Sequence, residues 1–119
     1  MILQDLYRKV GGNYEEVIGR LGKEERIIKY LLKFSEAGAF ADYEKAAEAK
    51  DYEECFRTLH SLKGMCLNLG LTRLEESSTR LCEVYRHGEP SENIDELYKK
   101  AKKDYDNAIK AVHSMLNPC

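Results

Sequence analysis

The residues of this chain that are best suited to chemistry are a histidine, a lysine and a glycine in one short segment. They occur in the run His60-Ser61-Leu62-Lys63-Gly64, inside a stretch whose apolar spacing predicts a long helix. Lys63 and Gly64 follow the histidine by three and four positions, which places them on the imidazole's side of a helix. Glycine within a helix costs roughly 1 kcal/mol relative to alanine, so it needs a packing or functional reason. The simplest reason is access to His60 for a bulky reactant.

The chemistry that these side chains predict is acceptance of a phosphoryl group by the histidine. An unperturbed imidazole is mostly neutral at pH 7, and one of its ring nitrogens can then act as a nucleophile. A phosphoryl group in transfer spreads negative charge over its equatorial oxygens, and the ammonium of Lys63 can share that charge. Arg57, one helical turn before His60, could do the same or contact acidic groups of a partner.

A turn of about 100° per residue sorts this segment into an apolar face and an exposed face. The apolar face is predicted to hold Tyr52, Cys55, Phe56, Leu59, Leu62, Cys66 and Leu69. His60 lies just outside this face, Lys63 lies on its border, and Gly64 neighbours His60 on the exposed side. We therefore expect an imidazole that is anchored near packed groups and presented to solvent.

A partner that reaches His60 would meet further residues of the same segment. Glu53 and Arg57 precede the histidine on the exposed side, and Leu67 follows it there. We expect Leu67 and Met65 to form an apolar contact around the histidine, which is a common way to seat a partner helix. The predicted docking residues are therefore Arg57, Glu53, Leu67 and Met65.

The elements that position these residues are predicted to be helices, because turn residues divide the chain into amphipathic segments and no segment alternates with period two. Two short helices are predicted over Ile2 to Val10 and Tyr14 to Leu21, and a third begins near Lys23 and is ended or kinked at Gly38. The central helix is predicted from Asp51 to about Leu69, followed by one helix capped by Thr72 and another capped by Ser91.

Long amphipathic helices joined by short loops predict an all-α fold, an antiparallel four-helix up-down bundle. We expect the bundle over residues 23–116 and the short helices of residues 1–22 covering one end of it. The length of 119 residues predicts a single domain over residues 1–119. Met1 and this compact length favour a free-standing protein.

Composition narrows the classes of partner. The net charge is −2, with acids and bases interleaved, so no basic stripe predicts nucleic-acid binding. No apolar run approaches the ~18 residues that a membrane span needs, and no signal peptide is present, so we expect a cytoplasmic protein with no membrane contact. Each predicted helix has one apolar stripe, from which we expect a monomer.

The remaining cysteines, histidines and lysines predict no second site. Cys55, Cys66, Cys82 and Cys119 form no Cys-x-x-Cys pair, which favours reduced thiols over a disulfide framework or a zinc site. His87 and His113 are interpreted as structural or incidental, and the lysine-rich stretch of residues 99–103 as a solvated helix face. We predict no metal ligands.

The stretch Leu59-His60-Ser61-Leu62-Lys63-Gly64-x-x-x-x-Leu69-Gly70 resembles the signature of histidine-containing phosphotransfer (HPt) domains. The segments Asp51-Tyr52, Leu71-Thr72-Arg73-Leu74 and Leu81-Cys82-Glu83 continue the resemblance, and the predicted bundle extends it to nearly the whole chain. One departure is Met65-Cys66, where family members often have small residues; it bears on packing and on partner preference.

The resemblance implies that His60 carries the phosphoryl group, that Lys63 stabilises it and that Gly64 gives access. It implies a phosphorelay intermediate of a two-component system, which takes a phosphoryl group from a receiver-domain aspartate and passes it to another receiver. The implied partners are response-regulator receiver domains and a hybrid histidine kinase. No nucleotide-binding loop is present, so we expect no autokinase activity and no cofactor of the chain's own, with Mg²⁺ held by the receiver.

Two other functions compete with this interpretation. A helical module could bind a receiver or a histidine kinase without accepting phosphate, although such a module would not need the combination of His60, Lys63 and Gly64. A metal-binding bundle using His60 and Glu53 is the weaker alternative, because the facing helices offer no Glu-x-x-His pair.

Overall fold

The computed structural model describes residues 2–116 and is helical throughout, with no strand in that range. Its helices are α1 (Leu3–Lys9), α2 (Tyr14–Leu21), α3 (Glu24–Ala37), α4 (Ala39–Glu48), α5 (Tyr52–Leu69), α6 (Thr72–Glu83) and α7 (Asp95–Leu116). The prediction of an all-helical chain is confirmed for these residues.

Helix α5 is the element around which the others pack. Its most extensive contacts are with α6 and α4, and α6 packs in turn against α7. The predicted apolar face of α5 is buried at Cys55, Leu59, Leu62, Cys66 and Leu69, whereas Tyr52 and Phe56 are only half-buried. Because these contacts hold α5 from its apolar side, the opposite side of the helix is left facing solvent.

Aromatic side chains fasten the start of α5 to its neighbours. The Tyr52 ring stacks on Tyr85, with ring centroids 6.1 Å apart. The hydroxyl groups of Tyr85 and Tyr43 lie 2.8 Å apart in a buried hydrogen bond that links α4 to the segment after α6. This bond satisfies two polar groups inside the core, where an unpaired hydroxyl would be costly.

The N-terminal helices pack against the turn between α5 and α6. Gly70 in this turn has φ +66°, and a Cβ there would lie 2.8 Å from the backbone oxygen of Asn13. The Gly70 oxygen accepts a hydrogen bond from the Asn13 N–H at 2.8 Å, and the Tyr7 hydroxyl donates to the Leu69 oxygen at 2.6 Å. Only glycine therefore fits this close approach without strain, and the approach fixes the C-terminal end of α5.

Several predicted helix ends are confirmed. Asp51 is the N-cap of α5, and its carboxylate accepts from the Glu54 N–H at 3.2 Å. Gly70 follows α5 in the left-handed conformation, as predicted. Gly38 is also left-handed, with φ +64°, so it ends α3, and α4 begins at the next residue.

Two predicted caps are wrong. Thr72 is the first residue of α6, and the cap position belongs to Leu71, which is 1% exposed. The Glu75 N–H donates to the Leu71 oxygen at 2.9 Å within the helix, so it is not left for the Thr72 side chain to cap. Ser91 does not cap α7, because the helix begins four residues later, at Asp95, and the Ser91 N–H donates to the Val84 oxygen at 3.0 Å within the connecting segment. The Asn93 side chain accepts from the Asp95 N–H at 2.8 Å instead.

Candidate functional site

His60 projects from the middle of α5 on the side that the other helices leave open. Its side chain is exposed, and its neighbours Leu59 and Leu62 are fully buried in the core. The helix is fixed at one end by the Asp51 cap and at the other by the Gly70 turn. The imidazole is thus carried by a rigid backbone and forms no hydrogen bond with another described residue.

The imidazole stacks on an aromatic ring of the same helix. The Phe56 ring lies one helical turn before His60, with centroids 5.7 Å apart and ring planes 15° apart. The guanidinium carbon of Arg86 lies 5.4 Å from the centroid of the same Phe56 ring. Sequence reasoning assigned Phe56 to the apolar face and missed its contact with His60, although a spacing of four residues on a helix was the signal for it.

Glu83 connects the charges on this side of the fold. Its carboxylate accepts from Arg86 at 2.8 Å and 2.6 Å, and this pairing is the main reason why the pKa of Glu83 is lowered. The ammonium of Lys63 lowers the pKa of Glu83 further. Lys63 is therefore within electrostatic range of α6.

Lys63 differs from the two arginines near the histidine. Arg57 is paired with Glu54 at 2.5 Å and 2.7 Å, and Arg86 is paired with Glu83. Lys63 is half-buried and makes no hydrogen bond or ion pair with any residue between positions 2 and 116. Its ammonium remains available to an incoming anion.

Gly64 has no internal packing reason to be glycine. A Cβ at this position would meet no atom within 4 Å, in contrast to the close approach at Gly70. The backbone of Gly64 lies inside α5, so no unusual dihedral angle requires glycine either. The space beside His60 is therefore open, as access by a bulky reactant requires.

A shallow depression of about 470 Å³ surrounds the imidazole on the N-terminal side. It is lined by Asp51, Glu53, Glu54, Phe56, Arg57, His60 and Ser61. Two of the predicted docking residues, Glu53 and Arg57, thus lie beside the histidine. Three acidic residues, Asp51, Glu53 and Glu54, line this end of the site, and Lys63 follows the imidazole on its C-terminal side.

The two predicted apolar docking residues lie in different places. Leu67 is 48% exposed, and at seven residues from His60 it lies on nearly the same side of α5. Met65 does not lie beside the histidine: it lines a separate groove with Tyr30 and Phe34 of α3. Five residues on a helix turn through about 140° from His60, so the expected contact of Met65 around the imidazole is wrong.

Between positions 2 and 116, the other chemically active side chains form no second cluster. Cys55, Cys66 and Cys82 are buried free thiols, and burial raises the pKa of Cys55 and of Cys82 to about 11. Cys119 lies outside the described residues. His87 and His113 are exposed and line neither the depression nor the groove. Within residues 2–116, no group of three or more metal-ligating side chains comes together.

The lysine-rich stretch of α7 agrees with its interpretation as a solvated face. Lys100 pairs with Asp104 at 2.9 Å, and Lys102 pairs with Asp106 at 3.5 Å. In each pair the two residues lie one helical turn apart on the same helix. The cations of this face are thus partly balanced by carboxylates of α7 itself.

Comparison with known proteins gives one result. The family model of the Hpt domain matches residues 37–115, about two thirds of the chain. The matched part includes α4, α5, α6 and nearly all of α7, and so it contains the whole surface around His60. Neither the curated proteins nor the solved structures include a match to the chain. No helix in the described part of the chain is both long and apolar enough to cross a membrane.

Proposed function

The chain belongs to the Hpt domain family, whose members are phosphotransfer modules of two-component phosphorelays and not kinases, and we propose that His60 is its phosphoacceptor. Family members interact with receiver domains and histidine kinases. We propose that this chain takes its phosphoryl group from one receiver aspartate and passes it to another. The observation that carries the proposal is an exposed, unpaired imidazole beside an unpaired ammonium and an open glycine, all within the described residues 2–116.

Each transfer is a substitution at phosphorus, in which one bond to the phosphoryl group forms and one breaks. A lone pair of a neutral His60 ring nitrogen forms the N–P bond, while the P–O bond of the receiver's aspartyl phosphate breaks. The electrons of that bond leave with the aspartate carboxylate, and the second ring nitrogen keeps its proton. The return step is the reverse, with the carboxylate of the next receiver attacking phosphorus.

Lys63 and Gly64 support this step in different ways. The ammonium of Lys63 offsets the charge that accumulates on the equatorial oxygens of the phosphoryl group. Gly64 leaves the space that the receiver's active-site loops need to reach His60. Glu53, Arg57 and Leu67 surround these residues and supply the contact area, with Arg57 held in place by Glu54.

The receiver supplies the rest of the chemistry in this proposal. It brings the aspartate and the Mg²⁺ that holds the phosphoryl oxygens, and the chain needs neither a cofactor nor an ATP site of its own. A protein that exchanges phosphate with receivers works in their compartment, so the proposal includes a cytoplasmic location. It also includes the up-and-down four-helix arrangement, which the two-residue turn between the packed helices α5 and α6 favours.

The test is phosphotransfer from a receiver domain that carries radiolabelled phosphate. We expect label on the wild type and not on His60→Gln, and the label should be acid-labile and base-stable, as a phosphohistidine is. His113→Gln is the matched control, because His113 is another exposed helical histidine and should leave the labelling unchanged. Label that persists on His60→Gln would overturn the assignment. Binding to receivers without any transfer would favour the docking module instead.

A further inference from the structure

We propose that Phe56 is a positioning residue for phosphotransfer, which holds the His60 imidazole in one plane by stacking on it. The proposal rests on His60 being the phosphoacceptor. It adds a group on the same helix that touches the nucleophile but never touches the phosphoryl group. We call Arg86, Phe56 and His60 together the Phe56 stack.

The geometry of the stack is that of an attractive aromatic contact. The two rings are nearly parallel, at 15°, and their centroids are 5.7 Å apart, inside the range of about 4.5–7 Å in which offset rings attract each other. An exposed histidine on a helix would otherwise rotate about its side-chain bonds. The contact with Phe56 favours one orientation of the ring before a partner arrives.

Phe56 is itself held from the end of α6 and the residues just after it. Arg86 lies over its ring at 5.4 Å, which is a cation–π distance, and Glu83 fixes the guanidinium through two hydrogen bonds. The backbone oxygen of Phe56 accepts from the Cys82 thiol at 3.6 Å. The orientation of the imidazole is thus tied to a second element and does not depend on α5 alone.

Stacking restrains the imidazole without blocking its reaction. The lone pair that attacks phosphorus lies in the plane of the ring, whereas Phe56 covers a face of the ring. A nucleophile that is already aligned loses less freedom on reaching the transition state, so the restraint speeds transfer. Receiver affinity should depend little on it, because Phe56 is half-buried, whereas its neighbours in the depression, Glu53 and Arg57, are exposed.

Tyr52 offers a matched control for this role. It lies four residues before Phe56 on the same helix, is half-buried like Phe56, and also stacks on an aromatic ring, that of Tyr85. Tyr52 has no aromatic contact with His60. Tyr52→Leu and Phe56→Leu therefore each remove one aromatic stacking contact of α5. Only Phe56→Leu removes the contact that restrains the imidazole.

The experiment measures the transfer rate at saturating phosphorylated receiver, the receiver affinity, and the NMR resonances of the His60 ring protons. We expect Phe56→Leu to slow transfer roughly 3- to 10-fold at unchanged affinity. Phe56→Tyr, which keeps the ring, should restore the rate, and Tyr52→Leu should leave it unchanged. In Phe56→Leu alone, the His60 ring protons should lose the shift that a stacked aromatic ring induces.

Two results would overturn the positioning role: a wild-type rate in Phe56→Leu, or equal slowing in Phe56→Leu and Tyr52→Leu. A wild type that takes no label would instead overturn the phosphoacceptor proposal, and that is measured before any variant is compared. The NMR comparison needs no phosphate, so it separates a missing stack from a missing reaction.

Discussion

Gly64 is the position where stability and function should change in opposite directions. Glycine within a helix is less stable than alanine by about 1 kcal/mol, and nothing within 4 Å would meet a Cβ here. We therefore expect Gly64→Ala to raise the free energy of unfolding by about 1 kcal/mol, which corresponds to a rise in Tm of roughly 3–5 °C for a domain of this size. Thermal and urea unfolding followed by circular dichroism measure both quantities.

A larger side chain at the same position should interfere with the reaction. In Gly64→Leu the new side chain would occupy the open space beside His60, so we expect phosphotransfer to fall roughly 10- to 100-fold while the protein stays folded. The assay is single-turnover transfer from a phosphorylated receiver, with binding measured separately. The loss should occur in the transfer rate, whether or not receiver affinity falls as well.

Gly19 provides the control for this pair of effects. It lies inside α2, is exposed, and a Cβ on it would also meet nothing within 4 Å. Gly19→Ala should stabilise the protein about as much as Gly64→Ala does, and Gly19→Leu should leave phosphotransfer unchanged. The reasoning is refuted if Gly64→Ala destabilises the protein, or if Gly64→Leu transfers phosphate at the wild-type rate.

Three further predictions concern the turn after α5, the free ammonium and the buried thiols. Gly70→Ala should destabilise the protein by about 1–3 kcal/mol in urea unfolding, because φ is +66° and the new Cβ would lie 2.8 Å from the Asn13 oxygen; an unchanged midpoint would contradict this. Lys63→Gln should slow transfer roughly tenfold or more with little change in Tm, since Lys63 has no ion-pair partner among residues 2–116; a wild-type rate, measured in the same transfer assay, would remove its role. Burial raises the pKa of Cys55 and of Cys82 to about 11 from an ordinary value of 9.0, so these thiols ionise at lower pH in the unfolded chain than in the folded protein. The free energy of unfolding should therefore fall between about pH 9 and 11. Urea unfolding at pH 8 and pH 10 measures the fall, and a rise would contradict the prediction.

The sequence predicted α5 well because its boundaries depend on local chemistry. The Asp51 side chain caps its own helix, and Gly70 is the residue that a left-handed turn requires, so both signals are read within a few positions. The buried face of the helix was predicted from the spacing of its apolar residues. These features need no knowledge of other elements, and they are the ones that place His60 on the open side.

Features that depend on a second element could not be predicted in this way. Thr72 is a reasonable cap by type, but the cap position is Leu71, and the Arg73 N–H in the first turn donates to the Gly11 oxygen of a distant segment. Arg86 contacts Phe56 only because α6 packs beside α5, and no pattern within either helix indicates that contact. Met65 is different, because the sequence already contained the signal against it. Five residues after His60 on a helix, its side chain is about 140° away from the imidazole, so a place beside the histidine was not to be expected.

The charges around His60 show how the fold prepares the site for an anion. Three cations lie near the imidazole, and two of them, Arg57 and Arg86, are paired with carboxylates of Glu54 and Glu83. Such exposed pairs contribute little to stability, so they are better understood as holding the two guanidinium groups in place. Within the described part of the chain Lys63 has no such partner, and its ammonium can therefore meet a phosphoryl group without first breaking an internal ion pair. A carboxylate placed within hydrogen-bonding distance of Lys63 would compete with the phosphoryl group for the ammonium, so we expect such a substitution to slow transfer in the same assay even when His60 is untouched.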